Sequence, residues 1–174
     1  MKLKKNLVLL GMMGSGKTSI GLMASKKLQL DFIDIDIEIE NQIGMKISKI
    51  FEVKGEKYFR EVEEKITLKN LEKEESIISL GGGGFLNNNI KKEVLKNHYS
   101  FWLNWNYRTL IRRINNSKKR PLAFGINKLE LIELIKKRSN IYSKALYKID
   151  CEKLSKTVIV NKITKIYETN KIKN

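Results

Sequence analysis

The sequence predicts an α/β protein, a parallel sheet with helices on both faces. Three observations predict it. Short apolar runs of strand length alternate along the chain with segments of helical spacing. The first apolar run leads into Gly11-Met-Met-Gly-Ser-Gly-Lys-Thr18, a glycine loop that opens directly onto a helical pattern. The second and third runs end in Asp34-Ile-Asp36 and in Gly81-Gly-Gly-Gly84. In parallel sheets, ligands gather at such carboxyl ends.

Leu7 to Leu10 reads as the first strand, and Gly16 to Leu28 as the first helix, with apolar positions at Ile20, Met23, Ala24 and Leu28. Asp31 to Asp34 is a short second strand. Helical patterns follow at Ile37–Ile43, Ile47–Val53 and Lys57–Leu71, the last two separated by Gly55. Ser76 to Leu80 is the third strand, Asn88 to Lys96 a helix, and Tyr99 to Leu103 the fourth strand. Tyr107–Ile114 and Lys128–Ile141 are helical, Tyr147 to Cys151 is the fifth strand, and Lys156–Glu168 closes the series. The whole is read as one domain, 1–174. Two departures from the alternation mark residues 35–63 as a subdomain for an acceptor and the polar, basic stretch 115–127 as a lid.

Composition narrows the function classes. A length of 174 residues with 41% hydrophobic content supports one real core. No apolar run approaches 18 residues, which excludes a spanning helix. The start carries no signal-peptide pattern. One cysteine, Cys151, cannot form an internal disulfide; it reads as a small core residue in a reducing cytoplasm. No His or Cys spacing suggests zinc. The net charge of +16 is spread along the chain rather than gathered in one arm. It reads as a solvated surface whose field attracts anionic substrates, and only secondarily as a nucleic-acid face.

The glycine loop is a complete G-x-x-x-x-G-K-[ST] motif. Gly14 and Gly16 allow backbone conformations closed to other residues, so N–H groups can form a nest for phosphate oxygens. The helix behind adds its positive end. Lys17 is placed to reach the β- and γ-phosphates of a nucleoside triphosphate, and Thr18 to put its hydroxyl on Mg²⁺. Asp34 and Asp36 are two apart at a strand end and so share a face. One carboxylate beside the transferred phosphate can orient an acceptor hydroxyl or hold Mg²⁺ through water, and Asp36 also suits the N-cap of the next helix. Arg60 and Glu63 stand at i and i+3. They read equally as an exposed ion pair or as an arginine held to grip a carboxylate. The glycine run lets backbone approach a ligand, with Ser79 the nearest polar side chain. Arg120, in the lid, can stabilise charge on transferring phosphates. Arg113 can stack on adenine, and Arg138 is a further anion ligand. Trp102 and Phe101 read as strand core, and Trp105 and Tyr107 as packing.

These pieces, in this order, resemble the shikimate kinase family. They are the phosphate loop, Phe32-Ile-Asp-Ile-Asp36 with Ile39-Glu40, Gly55-Glu56, Phe59-Arg60-x-x-Glu63, Ser79-Leu-Gly-Gly-Gly83, Arg120-Pro-Leu122, and Arg138 with Tyr142. The likeness spans roughly residues 5 to 151. It implies a P-loop fold of the nucleoside-monophosphate-kinase type with strand order 2-3-1-4-5. It also implies transfer of the ATP γ-phosphate to the 3-hydroxyl of shikimate, on the route to aromatic amino acids. Carried over by position, the catalytic set is Asp34, Lys17 and Arg120. The nucleotide set is Gly14, Ser15, Gly16, Lys17, Thr18, Ser19, Arg113 and Arg120. Shikimate falls to Asp36, Arg60, Gly82, Gly83 and Arg138, and Mg²⁺ to Thr18 and Asp34. Phe51 and Phe59 are the implied apolar wall, and Ser79 an outer Mg²⁺ group. The stretch Arg138–Tyr142 lacks the proline common in relatives, and Asp150–Ser155 lacks the usual adenine loop, with Lys153 a candidate there. The expected molecule is a cytoplasmic monomer with no membrane or nucleic-acid partner. The alternatives are a P-loop nucleic-acid-binding NTPase and a gluconate-type kinase on the same scaffold.

Overall fold

A computed structural model describes residues 6–115 and 127–172. Five strands form one sheet: β1 (Leu7–Leu10), β2 (Asp31–Asp34), β3 (Ser76–Ser79), β4 (Tyr99–Asn104) and β5 (Tyr147–Asp150). All pair in parallel, in the spatial order β2-β3-β1-β4-β5. This is the order expected from the resemblance. Parallel strands need crossover connections, and the helices supply them: α1 (Lys17–Leu28), α2 (Ile35–Ile43), α3 (Ile47–Leu71), α4 (Asn88–Asn97), α5 (Tyr107–Asn115), α6 (Lys128–Tyr142) and α7 (Lys156–Ile172). One short 3₁₀ turn, Gly84–Leu86, follows β3.

The strands are too short to stand alone and are stable because both faces are covered. Side chains alternate across a strand. Leu7 and Leu9 of β1, Ile77 of β3 and Phe101 of β4 therefore enter one core layer, with Ile20 and Ala24 of α1 and Ile159 and Ile163 of α7. Val8, Leu10, Ile78 and Trp102 enter the other, against α3, α4, α5 and α6. This is why the strands read as continuous apolar runs rather than alternating ones. Cys151 is buried in the first layer, as expected of a core residue. Burial pushes its thiol up to about 12, so the sulfur stays protonated.

Two glycines carry the geometry of this scaffold. A methyl group on Gly21 would lie 2.2 Å from the Phe32 ring, so α1 lies against β2 only because that position is bare. Gly55 takes φ 79°, a left-handed value that interrupts the long α3. The break expected between Val53 and Lys57 is present, and it separates Phe51 from Phe59 along the chain. The two rings still meet, with centroids 4.6 Å apart.

The expected helix cap is corrected. β2 stops at Asp34, and α2 begins at Ile35. Asp34, not Asp36, is the N-cap: its Oδ1 accepts from the Asp36 N–H at 3.1 Å. Asp36 lies in the first turn of the helix, so strand alternation does not orient it.

Candidate active site

The phosphate loop runs from the end of β1 into α1. Gly11, Gly14 and Gly16 all have positive φ, at 146°, 81° and 90°. Gly16 is the left-handed N-cap of α1, and no side chain caps that end. The N-terminal N–H groups of the helix are thereby directed toward the loop, the arrangement that binds anions. Lys17 is nearly buried and lies across its own loop, donating to the carbonyls of Gly11 at 2.9 Å and Met12 at 3.2 Å. Ser15 is buried, while Thr18 is exposed and Ser19 half-buried on the first turn of α1.

Thr18 Oγ1 donates to Asp34 Oδ2 at 2.7 Å, which joins the loop to the end of β2. Asp34 is in register with Ser79 at the end of β3, and Ser79 with Leu9 of β1. Thr18 and Asp34 therefore meet at one end of the sheet, with Ser79 in register beside Asp34 on the neighbouring strand. Oxygens of this kind suit Mg²⁺, which keeps several waters and takes one or two protein ligands beside a nucleotide.

The other side of the cleft is built around the glycine run. A methyl group on Gly81 would lie 2.6 Å from Glu63 Oε1 and 2.7 Å from Asp36 Oδ1. One on Gly82 would lie 3.3 Å from Met13 N, in the phosphate loop, and 3.6 Å from an Arg138 guanidinium nitrogen. One on Gly83 would lie 2.4 Å from Arg60 Nη1. The run is bare because carboxylates and guanidinium groups close on it from several sides. Arg138 comes from α6 and Arg60 from the second half of α3, so both arginines face the same segment. The Gly82 carbonyl fixes α6 there, accepting from Arg138 Nη1 at 3.3 Å and from the Tyr142 hydroxyl. Burial pushes the Tyr142 phenol up to about 12, so it remains a neutral donor.

Arg60 forms the ion pair its spacing allowed, in a partly buried setting. It bonds Glu63 at 2.7 Å and Glu56 at 3.1 Å, and its side chain is 30% exposed while that of Glu63 is 3% exposed. Burial raises the Glu63 carboxyl above its usual range against the pull of Arg60. Burial also opposes the Arg60 charge, but the Glu63 charge and hydrogen bond outweigh it and hold the guanidinium firmly protonated. Glu63 Oε1 and Arg138 Nε are buried without a hydrogen-bond partner among the described residues. Buried polar groups are normally satisfied, and those left over in a cleft mark a place for a polar ligand. Asp36, between Asp34 and Glu63, is raised from 3.8 to about 6, first by burial and next by the Asp34 charge; Lys17 pulls the other way.

The structure thus brings together Lys17, Thr18 and Asp34 on the loop side, and Asp36, Arg60, Gly82, Gly83 and Arg138 around the glycine run. Arg113 reaches the loop from α5: its Nη1 lies 3.4 Å from the Gly14 carbonyl, and its guanidinium lies 3.7 Å from the centre of the Trp105 ring. Arg120 and the rest of 116–126 lie outside the described residues. Two contributors were missed by sequence reasoning. Trp105 Nε1 donates to the Ser15 carbonyl at 2.9 Å. Glu152 accepts from Asn106 N at 3.2 Å and Thr109 Oγ1 at 2.9 Å, tying the segment after β5 to the start of α5. A partner that is a backbone atom or lies about 45 residues away leaves no local pattern to read.

Comparison with known proteins agrees with this geometry. The family model described as shikimate kinase matches residues 13–168. A shikimate kinase from Thermodesulfovibrio yellowstonii is 40% identical over 165 residues, covering 94% of this chain and 95% of that protein. One from a Sulfurihydrogenibium species is 40% identical over 164 residues, covering 93% and 98%. Among solved structures, the shikimate kinase from Acinetobacter baumannii in complex with shikimate superposes with a TM-score of 0.90 at 28% identity, covering 97% of this chain and 95% of that one. A family model matched across nearly the whole chain, and relatives at this identity, establish that the chain belongs to the shikimate kinase family.

Proposed function

We propose that this chain transfers the γ-phosphoryl group of ATP to the 3-hydroxyl of shikimate, giving shikimate 3-phosphate and ADP. The observation that carries the reading is the convergence of Arg60 and Arg138 on Gly82–Gly83, with Gly82 against Met13 of the phosphate loop. A guanidinium pair recognises a carboxylate through planar, bidentate hydrogen bonds. Phe51 and Phe59, whose rings meet at a tilt of 37°, lie on the same helix as Arg60 and offer an apolar wall to a carbon ring. A nucleotide acceptor would present a phosphate and a base; a small cyclic carboxylic acid fits this set better.

In the reaction the acceptor oxygen bonds to the γ-phosphorus while the bond from that phosphorus to the β,γ-bridging oxygen breaks, and ADP leaves. The acceptor hydroxyl loses its proton, and Asp34 is the group placed beside it to take it. Asp36 orients the ring through its hydroxyls. Lys17 and the N–H groups of Gly14, Ser15 and Gly16 hold the phosphates, with Thr18 and Ser19 at the start of α1. Thr18 and Asp34 would hold Mg²⁺, with Ser79 behind them; the bound ion neutralises phosphate charge. Arg120 closes on the transferring group from the lid, and Arg113 stacks on the adenine. Catalysis is then mostly positioning and charge stabilisation. The lone buried cysteine supports a reducing cytoplasm.

A coupled assay of ADP release with shikimate, gluconate and AMP as acceptors tests this. Turnover with shikimate alone is expected. Turnover with gluconate or AMP in its place overturns the acceptor, and no turnover with any of them overturns the kinase.

A further inference from the structure

The corner between β4 and α5 contacts the phosphate loop through one aromatic side chain. Trp105 stands one residue beyond β4 and is half-buried, packed against both core layers. Its Nε1 donates to the Ser15 carbonyl at 2.9 Å, 90 residues back in the chain. Its ring carries the Arg113 guanidinium at 3.7 Å, and Arg113 itself reaches the neighbouring Gly14 carbonyl.

The consequence follows from peptide geometry. In a trans peptide unit the C=O and the following N–H point in opposite directions. Holding the Ser15 carbonyl toward Trp105 turns the Gly16 N–H the other way. Gly16 sits at φ 90° and, as a glycine, has little intrinsic preference to keep that unit fixed. Lys17 holds the Gly11 and Met12 carbonyls, and Trp105 holds the Ser15 carbonyl, so different groups fix different peptide units of this loop. The Trp105 indole is rigid, bonded through nitrogen, and anchored in the core on its far side.

We propose that Trp105 is a positioning residue for the nucleotide: its indole N–H fixes the Ser15–Gly16 peptide unit, and its ring fixes Arg113, so that the amides of the phosphate loop are set before ATP arrives. This rests on the reading of Gly11–Thr18 as the ATP site. Trp105 makes no described contact with the acceptor residues, so its effect should fall on the phosphates of ATP and spare shikimate.

The test compares the unmodified protein with Trp105→Phe, which keeps a ring but loses the N–H, and Trp105→Leu, which loses both. Trp105→Phe should raise the KM for ATP about fivefold, and Trp105→Leu about tenfold or more, with the KM for shikimate within about twofold of the parent. Inorganic triphosphate, a probe with no base, should lose affinity as an inhibitor in parallel with ATP. A KM for ATP unchanged in Trp105→Phe, or a loss confined to ATP with triphosphate unaffected, overturns the proposal while leaving the kinase reading intact. A parent protein that neither turns over ATP nor is inhibited by triphosphate overturns the reading beneath it instead.

Discussion

Asp34 uses its two carboxylate oxygens for two different partners: Oδ2 accepts from Thr18 Oγ1 at 2.7 Å, and Oδ1 accepts from the Asp36 N–H at 3.1 Å. The first bond ties it to the phosphate loop; the second starts α2 and so sets where Asp36 stands. A single residue at the end of β2 therefore links the nucleotide side of the cleft to the acceptor side.

That double role can be separated. Asparagine caps a helix about as well as aspartate, while alanine costs roughly 1 kcal/mol at such a position. Asp34→Asn should keep the thermal midpoint near that of the parent and lower kcat at least about a hundredfold, since the charge beside the phosphates is gone. Asp34→Ala should lose both activity and stability. Steady-state kinetics with a thermal melt decide it; an Asp34→Asn protein of normal kcat would remove Asp34 from the chemistry.

Arg60 should act on the acceptor rather than on ATP. Arg60→Ala removes one guanidinium from the glycine run and leaves Glu63, 3% exposed, without its main counter-charge. The KM for shikimate should rise by a factor on the order of 10 to 100, as for loss of a charged hydrogen bond, with the KM for ATP little changed. Stability should fall by about 1–3 kcal/mol, because a buried carboxylate is left short of partners. Equal losses for both substrates would mean that Arg60 supports the fold and not the acceptor.

Two glycine-to-alanine changes should give opposite results. At Gly83 the new methyl group meets the guanidinium end of Arg60, which is flexible and can swing aside. Gly83→Ala should fold normally and bind shikimate weakly. At Gly21 the methyl group meets the Phe32 ring at 2.2 Å, wedged between α1 and β2. Gly21→Ala should cost about 1–3 kcal/mol of stability from overpacking. Circular dichroism melts and shikimate titrations on the pair would expose any exchange of these outcomes.

The sequence made the loop side of the site legible and the acceptor side only in part. Gly11–Thr18 announces itself because phosphate binding requires glycines and a lysine at fixed spacing, flanked by apolar runs that both core layers demand. Arg60 and Glu63 were legible as neighbours on a helix, but their spacing says nothing of burial, which depends on the glycine run packing over them. Arg138 could be tied to Arg60 only through the family resemblance, since they are 78 positions apart with two strands between them. Asp36 was misassigned as the cap because strand and helix abut at Asp34 with no intervening loop. Trp105 read as packing because an indole just past a strand usually is packing, and its partner is a backbone carbonyl that leaves no trace in the sequence.

Asp36 offers a prediction in which the sign of the pH dependence matters. Its carboxyl is raised from 3.8 to about 6, mainly by burial, then by the Asp34 charge, with Glu63 and Glu40 adding and Lys17 opposing. A raised carboxyl binds its proton more tightly in the folded state than in the unfolded one. Between pH 3.8 and about 6 the folded chain therefore carries more protons, and this group's contribution to stability declines as pH rises through that window. Above about pH 6 the ionised carboxylate is held at a cost, up to roughly 3 kcal/mol for a two-unit shift. Asp36→Asn removes the charge and keeps the size. The variant should be more stable than the parent at pH 7.5, and the difference should shrink toward pH 4. The same variant should bind shikimate poorly, since a negative oxygen that accepts from the ring hydroxyls has been replaced by an amide. Denaturant melts of the two proteins at pH 4 and pH 7.5, without ligands, measure the first part, and shikimate titration measures the second. A variant less stable than its parent at pH 7.5 would show that the Asp36 charge is satisfied where it stands, and that the cleft is not strained toward its substrate at this position.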